Sequence, residues 1–454
     1  MPSILFISHS KRGSFYYNDA SARYRCVFPA EYFQSIGITS HVIHFTQIDK
    51  VDLNDYSHLV FHRPQYSLKL NWILYKAKQL NINTIADFDD LLFNPKFAQQ
   101  SAAVQAGYMS IKLATKQTKA YKKALQLFDN AWVSTQTLKQ QMATTCPHLH
   151  IRVCHNKLPD RWANLSAITP WQERLKNKVI RYMPGTSHHK HDFEKIEDLF
   201  IGLLQKHPNI KLEVVGQLNF NLSKFPQKQI NQQTNMTFEA LPSVISSSWL
   251  TIAPLQDNIF NQCKSGLKFW ESGLYGVPVI SSKLPDITRF KNKGLLLSDN
   301  PHDWLSYIEN MLAPENYQRA SNEALEHAKQ AIFSRNDDRL KTLSTQLDSN
   351  SFEKIKGETT ANFSDIQLIM CASHGPRWPG KWLNPTETEY EAIQVKLSRL
   401  LSSESNLKDE ERQALTIQAE EQTKLDVVPK KHKVIRKAKK LWNSPYDFFR
   451  DMQK

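Results

Sequence analysis

Three charged residues with helical spacing carry the clearest chemical signal in the sequence. Lys264, Lys268 and Glu271 stand at positions i, i+4 and i+7, so they are predicted to share one face of a helix after the strand-like run 250–253. Two ammonium groups can neutralise a diphosphate, and a carboxylate can accept hydrogen bonds from ribose hydroxyls. The alternative is a solvated Lys268–Glu271 pair, which stabilises a helix by only about 0.2–0.5 kcal/mol.

A glycine turn marks a second candidate site in the same half of the chain. Residues 179–182 predict a strand, Gly185 and Thr186 follow it, and helical periodicity begins shortly afterwards. Glycine permits a tight turn and threonine can cap a helix, so the turn can present backbone N–H groups to an anion. An ordinary strand-to-helix turn has the same features, and that alternative stays open.

Two arginines follow the first predicted strand, residues 4–8. Arg23 and Arg25 fall before the predicted helix 28–36, where loops face a cleft in α/β proteins. Two guanidinium groups there could clamp the phosphates of a donor or of a lipid diphosphate acceptor. Surface charge around a buried Tyr24 is the alternative.

Acidic residues follow the fourth predicted strand, and His62 and Arg63 follow the third. Asp87 and Asp89 form an Asp-x-Asp pattern, and two carboxylates at one strand end can bridge Mg²⁺ or Mn²⁺ to a diphosphate. We favour a role for Asp89 in the acceptor site or in catalysis over metal binding. A loop-capping role is the third possibility.

The elements that must position these residues are short apolar runs alternating with amphipathic stretches. This alternation predicts an α/β protein with two doubly wound parallel sheets. The predicted strands are 4–8, 41–44, 57–61, 83–86 and 131–134, then 179–182, 212–215, 236–238, 250–253, 277–281 and 294–297. The predicted domains are 1–168 and 169–348, followed by a helical extension or linker, 349–429, and a basic tail, 430–454. The cleft between the domains is the expected ligand site.

These motifs resemble those of retaining GT-B glycosyltransferases of the family-4 type, in particular a branch that builds surface polysaccharides. Glu271, followed by the run Gly276-Val277-Pro278-Val279, is similar to the second glutamate of the family's Glu-x7-Glu motif and the stretch after it. The family's first glutamate falls on Cys263. Further positions that match the branch are Asn258, Asn261, Lys264, Ser265, Lys268, Gly185, Thr186 and His189.

The resemblance implies the GT-B fold, in which two Rossmann-like domains face each other across a cleft, with the last helix of the second domain able to pack back on the first. It implies sugar transfer from a nucleoside diphosphate donor without a metal, because basic groups and helix dipoles stabilise the leaving diphosphate. The candidate catalytic residues are Lys264, Glu271, Asp89 and His189. The candidate donor-binding residues are Gly185, Thr186, Asn258, Asn261, Ser265, Lys268, Glu271, Arg23 and Arg25.

Charge is concentrated at the end of the chain. The 454 residues carry a formal net charge of +14, and residues 430–454, with nine bases and two acids, supply +7 of it. A predicted helix there opposes lysines to an apolar stripe, which comprises Val434, Ile435, Ala438, Leu441 and Trp442. This pattern is typical of helices that lie in a membrane interface. We expect the tail to bind an anionic membrane surface; docking on the protein itself is the alternative.

The sequence shows no signal peptide and no membrane-spanning run, and its five cysteines lack metal-ligand spacing. We therefore expect a bacterial, cytoplasmic protein, peripheral at the inner face of the plasma membrane. Its expected acceptor is a lipid-linked or oligosaccharide precursor of a cell-surface glycan such as capsule, O-antigen lipopolysaccharide or exopolysaccharide, and not nucleic acid. Two alternatives stay open: a nucleotide-sugar 2-epimerase on the same fold, and a nucleic-acid-binding protein that uses the basic tail.

Overall fold

The computed structural model describes residues 3–164, 168–184, 190–233, 237–290, 293–334, 337–341 and 343. The predicted site residues Gly185, Thr186 and His189 lie outside this set, as do the predicted extension 349–429 and the basic tail 430–454. The chain divides into two compact units, which are Met1–Pro64 with Ile82–Ser351, and Gln65–Asn81 with Phe352–Lys454. The boundaries predicted at 168 and 348 stay predictions.

The first sheet has six parallel strands in the order β2-β1-β3-β4-β5-β6. These are β1 (Ser3–Ser8), β2 (Thr39–His44), β3 (His58–His62), β4 (Asn83–Phe88), β5 (Asn130–Val133) and β6 (His150–Val153). The strand order reverses between β1 and β3, where ligands bind in doubly wound sheets. In the register of the sheet Ser8 pairs with His62, and His62 pairs with Asp87. The segments after these three strands therefore leave the sheet side by side.

The second sheet also has six parallel strands, in the order β12-β11-β10-β7-β8-β9. These are β7 (Val179–Tyr182), β8 (Lys211–Val215), β9 (Ile230–Gln233), β10 (Leu250–Ala253), β11 (Val279–Ser281) and β12 (Leu295–Leu297). This is the strand order of dinucleotide-binding Rossmann domains, with the reversal between β7 and β10. The two parallel α/β sheets confirm the predicted fold class.

Helices alternate with the strands along the chain. In chain order they are α1 (Ala20–Ala22), α2 (Phe28–Ser35), α3 (Leu68–Gln79), α4 (Ala102–Gln105), α5 (Ile111–Leu125), α6 (Gln136–Thr145), α7 (Asp160–Ala163), α8 (Trp171–Asn177), α9 (Lys190–Lys206), α10 (Leu241–Ser246), α11 (Ile259–Gln262), α12 (Leu267–Gly273), α13 (Pro285–Thr288), α14 (Pro301–Asn310) and α15 (Pro314–Ala328). Helix α3, capped by Ser67, belongs to the second unit, whose described residues are 65–81. None of the helices in the described ranges is long and apolar enough to cross a membrane.

Several predicted elements differ from the observed ones. The strand predicted at 236–238 is wrong, because Phe238 begins a 3-10 turn, and the third strand of this domain is Ile230–Gln233 instead. Strand β6 was not predicted. The segment 20–35 is helical throughout, with a π-helical turn at Arg23–Val27, so Arg23 and Arg25 do not lie in a loop.

Aromatic packing joins the two halves of the first unit. Phe238, between the strands of the second sheet, stacks on Phe28 of α2 with ring centroids 5.8 Å apart and also contacts Trp162. Beyond α15 the chain returns to the first domain, where Phe333 stacks on Tyr32 at 5.0 Å. The two sheets therefore share a continuous apolar core.

Candidate functional site

An arginine in the first domain forms ion pairs with two adjacent aspartates. Arg63, directly after β3, has a left-handed backbone (φ 50°). Its Nε donates to Oδ1 of Asp89 at 2.6 Å and its Nη2 donates to Oδ2 of Asp90 at 2.5 Å. Burial would raise the pKa of Asp89, but Arg63 and His62 hold that pKa well below its usual value. Asp89 is therefore a fixed anion.

Ser21 and His62 complete this cluster. The Oγ of Ser21 donates to Oδ2 of Asp89 at 2.6 Å and lies 2.7 Å from Nε2 of His62. Because the Ser21 hydroxyl donates its proton to the hydrogen bond with Asp89, its oxygen can accept a hydrogen bond from the Nε2–H of His62. The predicted role of Asp89 near the acceptor is compatible with its place at the sheet edge. The lowered pKa of Asp89 disfavours a role as proton acceptor.

The predicted phosphate clamp is wrong for Arg25. Arg25 and Asp87 are fully buried and form an ion pair, with Nε of Arg25 3.0 Å from Oδ2 of Asp87. The Nη1 group donates to the carbonyl of Cys154 at 2.6 Å and to Oδ1 of Asn156 at 3.0 Å. The guanidinium therefore has no face toward a ligand; it joins the ends of β4 and β6.

Arg23 is also committed to the protein. Its guanidinium carbon lies 3.6 Å from the centroid of the Phe238 ring, and its Nη1 donates to the carbonyl of Tyr17 at 2.6 Å. Burial lowers the pKa of Arg23. The residue thus joins the first domain to the second through a cation–π contact, and it is not presented as a phosphate ligand.

The Asp-x-Asp pair is not arranged to share one metal ion. Asp87 is paired with Arg25 inside the core, and Asp89 is paired with Arg63 at the sheet edge. Within the described ranges no group of three or more His, Cys, Asp or Glu side chains is placed to hold a metal ion. These carboxylates balance buried arginines instead.

In the second domain a polar loop leads from β10 to Lys264. Asn258 caps α11 by accepting from the backbone N–H of Asn261 at 2.9 Å, and the Asn261 amide donates to the carbonyl of Gln256. The N–H of Gln256 donates to Asp192 of α9 at 2.8 Å. The two asparagines, both predicted to bind the donor, therefore hold the loop in shape.

Lys264 lies in the turn between α11 and α12, so the prediction that it shares a helix face with Lys268 and Glu271 is wrong. Among the described residues its ammonium group forms no ion pair. Burial lowers the pKa of Lys264, while the nearby carboxylates of Asp90 and Asp192 oppose that shift. A half-buried ammonium beside Asp90 and Arg63 of the other domain is placed to meet an anion between the two sheets.

Glu271 and Lys268 form an i,i+3 ion pair, as the alternative to a ligand-binding role anticipated, with Nζ of Lys268 3.0 Å from Oε2 of Glu271. The other oxygen, Oε1, accepts from the hydroxyl of Tyr24 in the first domain. The side chain of Glu271 is only 4% exposed, whereas that of Lys268 is 34% exposed. The carboxylate is thus held from both sides, and Lys268 is the more accessible member of the pair.

Further contacts between the domains converge on the turn 263–266. Ser265 Oγ accepts from the Asn156 amide at 3.0 Å, and Thr135 Oγ1 donates to the carbonyl of Cys263 at 2.8 Å. Asp286 accepts from the N–H of Gly266 at 2.6 Å. The turn that carries Lys264 is therefore fixed from both domains. Asn156, Thr135 and Asp286 were missed from the sequence; Thr135 is the second residue after β5 and Asn156 the third after β6.

Cys263 stands where the resembling family has its first glutamate. The side chain is buried, and burial together with Asp90 raises the pKa of this thiol to about 12. The thiol stays neutral at physiological pH and is neither a nucleophile nor an anionic partner for a sugar.

Comparison with known proteins gives the fold. No family model and no curated protein matches the chain. Among solved structures, sucrose-phosphate synthase from Thermosynechococcus elongatus has a TM-score of 0.51 at 14% identity, covering 77% of this chain and 100% of that one. HepE from Anabaena in complex with UDP has a TM-score of 0.50 at 13% identity, covering 76% and 100%.

A third similar structure is an α-glucosyltransferase in complex with UDP and a 13-mer DNA containing a HMU base, with a TM-score of 0.53 at 11% identity, covering 78% of this chain and 100% of that one. At these identities the likeness concerns the fold alone. The chain has the GT-B fold, as the motifs implied.

Proposed function

We propose that this protein is a retaining glycosyltransferase of the family-4 type, which moves a sugar from a nucleoside diphosphate donor to a growing cell-surface glycan. The observation that carries the proposal is the position of Lys264. Its ammonium has no ion pair among the described residues and lies at the strand-reversal edge of the second sheet, beside Arg63 and Asp90 of the first domain. A cation held in that place fits a diphosphate.

The chemistry of the site supports sugar transfer. When the bond between the sugar and the diphosphate breaks, negative charge grows on the leaving group, so a fixed cation stabilises the transition state more than the ground state. Lys264 is the residue for that role, with Lys268 as a second cation. Glu271, held by Tyr24 and Lys268, would accept the ribose hydroxyls. Residues 185–189, for which the sequence predicts a turn, are proposed to supply N–H groups to the phosphates.

The similar structures agree with a nucleotide-sugar donor. HepE is in complex with UDP. The α-glucosyltransferase was solved with UDP-glucose and DNA containing an abasic site, at a TM-score of 0.51. We propose by analogy that this chain binds a nucleoside diphosphate sugar. We also propose that it needs no metal, because Lys264 and Lys268 supply the charge that a divalent cation would supply.

The acceptor side is assigned to the first domain, with the Ser21, His62, Asp89 cluster at its sheet edge. We propose that the acceptor is a lipid-linked or oligosaccharide precursor, that the tail 430–454 holds the enzyme at the cytoplasmic face of the membrane, and that the enzyme is bacterial. The tail proposal rests on its net charge of +7 and its apolar stripe. Deletion of 430–454 should weaken the binding of the chain to anionic vesicles in a flotation assay.

Ligand-induced thermal shift tests the donor site. We expect one nucleoside diphosphate from a panel to raise the melting temperature of the full chain, in proportion to ln(1 + [L]/Kd), with EDTA present and absent. Lys264→Ala should abolish this shift and lower kcat by about 100-fold, a loss of roughly 3 kcal/mol of transition-state stabilisation. Its melting temperature without ligand should stay close to that of the wild type.

Lys211→Ala is the matched control, because Lys211 is exposed and begins β8, at the opposite end of a strand from the site. It should keep both the shift and the turnover. A Lys264→Ala variant with wild-type turnover would refute the assignment.

Nuclear magnetic resonance of the product made from a labelled donor tests whether the anomeric configuration is retained. Recovery of an epimerised donor in place of a glycoside would identify a 2-epimerase.

A further inference from the structure

A long acid-free segment of the first domain contains a basic helix. Between residues 91 and 128 the chain has no Asp or Glu and six lysines, which are Lys96, Lys112, Lys116, Lys119, Lys122 and Lys123. Most of these lysines lie on α5. A positive excess of this density in one segment is the electrostatic footprint of an anionic partner.

The lysines of α5 are arranged on one face. Lys112, Lys116 and Lys119 are spaced i, i+4 and i+7 and are exposed. The opposite face of the helix is buried and comprises Ala114, Thr118, Tyr121, Ala124 and Leu125. Tyr121 packs edge-on against Phe88 of β4. The sheet therefore holds the helix so that the lysine stripe points away from the protein.

Large apolar side chains are exposed at the start of the same helix. Ile111 is 54% exposed and Tyr108 is 57% exposed, and they are among the few large apolar residues of the described chain in that class. Their position next to three exposed lysines gives a surface that combines apolar side chains with positive charge. An interfacial helix presents that combination to a membrane.

The segment before α5 connects this surface to the candidate site. It starts directly after Asp90, and its 3-10 turn Pro95–Gln100 packs against α11 of the second domain. The carbonyl of Gln105 accepts from Nε2 of His191 in α9 at 3.1 Å. Residues 95–111 thus run from the edge of the candidate acceptor site to the exposed surface.

We propose that the surface formed by Tyr108, Ile111, Lys112, Lys116 and Lys119 is a membrane-docking face that lies against an anionic lipid bilayer. Lipid phosphates fit the lysine stripe, and the two apolar side chains enter the interface. Of these five residues only Tyr108 has a ring that could stack on a base, and residues 91–128 contain no arginine, so the surface fits a bilayer better than a nucleic acid. This face is separate from the tail 430–454 and does not depend on the transferase proposal.

Vesicle sedimentation of the full chain tests this proposal. Lys112→Gln/Lys116→Gln/Lys119→Gln is compared with Lys176→Gln/Lys211→Gln/Lys329→Gln, which removes the same charge from exposed lysines elsewhere. Both sets are also made in a full-length background with Lys433, Lys437 and Lys440 changed to Gln, so that the tail does not mask the effect. The vesicles are phosphatidylcholine alone or mixed with phosphatidylglycerol.

In the tail-substituted background we expect the α5 variant to bind mixed vesicles roughly 100-fold more weakly, because each lysine near an anionic membrane contributes about a fivefold factor. The control set should lose less than about fivefold, since its lysines do not face the bilayer. Tyr108→Ser/Ile111→Ser should remove the part of the binding that survives high salt. Unchanged melting temperatures and unchanged nucleotide-induced shifts show that the fold and the donor site are intact.

Equal vesicle binding by the α5 variant and the control set would overturn the proposal. So would a variant that loses binding to duplex DNA while its vesicle binding stays at the wild-type level, because that result assigns the face to nucleic acid. If no nucleoside diphosphate raised the melting temperature of the wild type, the transferase proposal would be refuted and this one would still stand.

Discussion

The hydroxyl of Tyr24 in the first domain donates a hydrogen bond to Oε1 of Glu271 in the second, at 2.5 Å. Burial and the neighbouring Glu271 raise the pKa of Tyr24 well above its usual value, so the phenol stays protonated and keeps donating. If Glu271 accepts ribose hydroxyls, Tyr24 competes with the nucleotide for one of its oxygens.

Tyr24→Phe is therefore expected to separate stability from donor binding. The ring keeps its packing on Phe28, but the buried carboxylate loses a donor, so the free energy of unfolding should fall by about 1–3 kcal/mol. Nucleoside diphosphate affinity should rise several-fold. Urea denaturation and calorimetric titration measure the two effects.

Tyr16→Phe is the matched control for Tyr24→Phe. The Tyr16 hydroxyl donates to the carbonyl of Val42 at 3.1 Å, within the first domain. Its loss should lower stability slightly and leave nucleotide affinity unchanged. Weaker nucleotide binding in Tyr24→Phe would mean that Tyr24 supports the donor site instead of competing with it.

Asp87→Asn should be costly for stability. The change leaves the buried guanidinium of Arg25 without a counter-charge, which we expect to lower the free energy of unfolding by about 3–5 kcal/mol. The double variant Arg25→Met/Asp87→Leu should lose less than the sum of the single changes, because it removes both charges. Denaturant unfolding of Asp87→Asn, of Arg25→Met, of Asp87→Leu and of the double variant measures these effects. Wild-type stability of Arg25→Met combined with lost nucleotide binding would restore the phosphate-clamp hypothesis for Arg25.

Asp89 and Asp90 are adjacent but should respond differently to neutralisation. Asp90 is one of the carboxylates near Lys264, so it would repel a diphosphate bound to that lysine. Asp90→Asn removes this repulsion of roughly 1 kcal/mol and should tighten nucleoside diphosphate binding by about fivefold. Asp89→Asn removes the partner of Arg63 and Ser21 and should mainly lower stability. Titrations at low and high salt distinguish them: the Asp90 effect should shrink with salt. If Asp89→Asn tightened nucleoside diphosphate binding and Asp90→Asn did not, the two roles would be reversed.

The sequence was sufficient to predict the interior strands of both sheets and two of the four edge strands, β2 and β12, but not β6 and β9. Strands β1 and β10 lie inside their sheets and read as continuous apolar runs, so both were found. Strands β6 (His150–Val153) and β9 (Ile230–Gln233) each lie at the edge of a sheet and alternate or lack apolar residues, so the first was missed and the second misplaced. The apolar-run criterion fails for these two strands because polar residues occupy their exposed positions.

The candidate site was predictable in its residue types and less so in its contacts. The Lys268–Glu271 pair follows from local spacing and was anticipated. The Arg25–Asp87 pair joins residues 62 positions apart and depends on the packing of β4 against the helical segment 20–35. Sequence spacing could not reveal that the predicted ligand-binding arginine is neutralised inside the core.

Acid should weaken the fold through His9. Both ring nitrogens of His9 are shielded from solvent without a hydrogen-bond partner among the described residues, and burial lowers its pKa from 6.5 to about 3. The folded state therefore binds fewer protons than the unfolded state between these two values. Stability from His9 is complete above pH 6.5 and is lost as the pH falls toward 3, by about 1.4 kcal/mol per pH unit.

His9→Phe should flatten this dependence, because a phenyl ring keeps the stacking on Phe45 and cannot be protonated. Urea denaturation at several pH values between 6.5 and 4 checks the slope. Equal slopes for the variant and the wild type would show that His9 does not titrate on unfolding. His58, whose pKa burial lowers to about 4, contributes in the same direction and should persist in the variant.

Gly294, just before β12, is a position where the fold requires glycine. Its φ of +71° is strained for other residues, and a Cβ there would lie 2.4 Å from the carbonyl oxygen of Ala320 and 2.5 Å from Cβ of Ala324 in α15. Backbone strain and overpacking together should make Gly294→Ala destabilising by about 2–5 kcal/mol.

Gly202→Ala in α9 is the matched control, because a Cβ there meets no atom within 4 Å. It should instead stabilise by about 0.5–1 kcal/mol through better helix propensity. Denaturant unfolding of both variants measures the contrast, and effects of the same sign would contradict the close approach of α15 to Gly294.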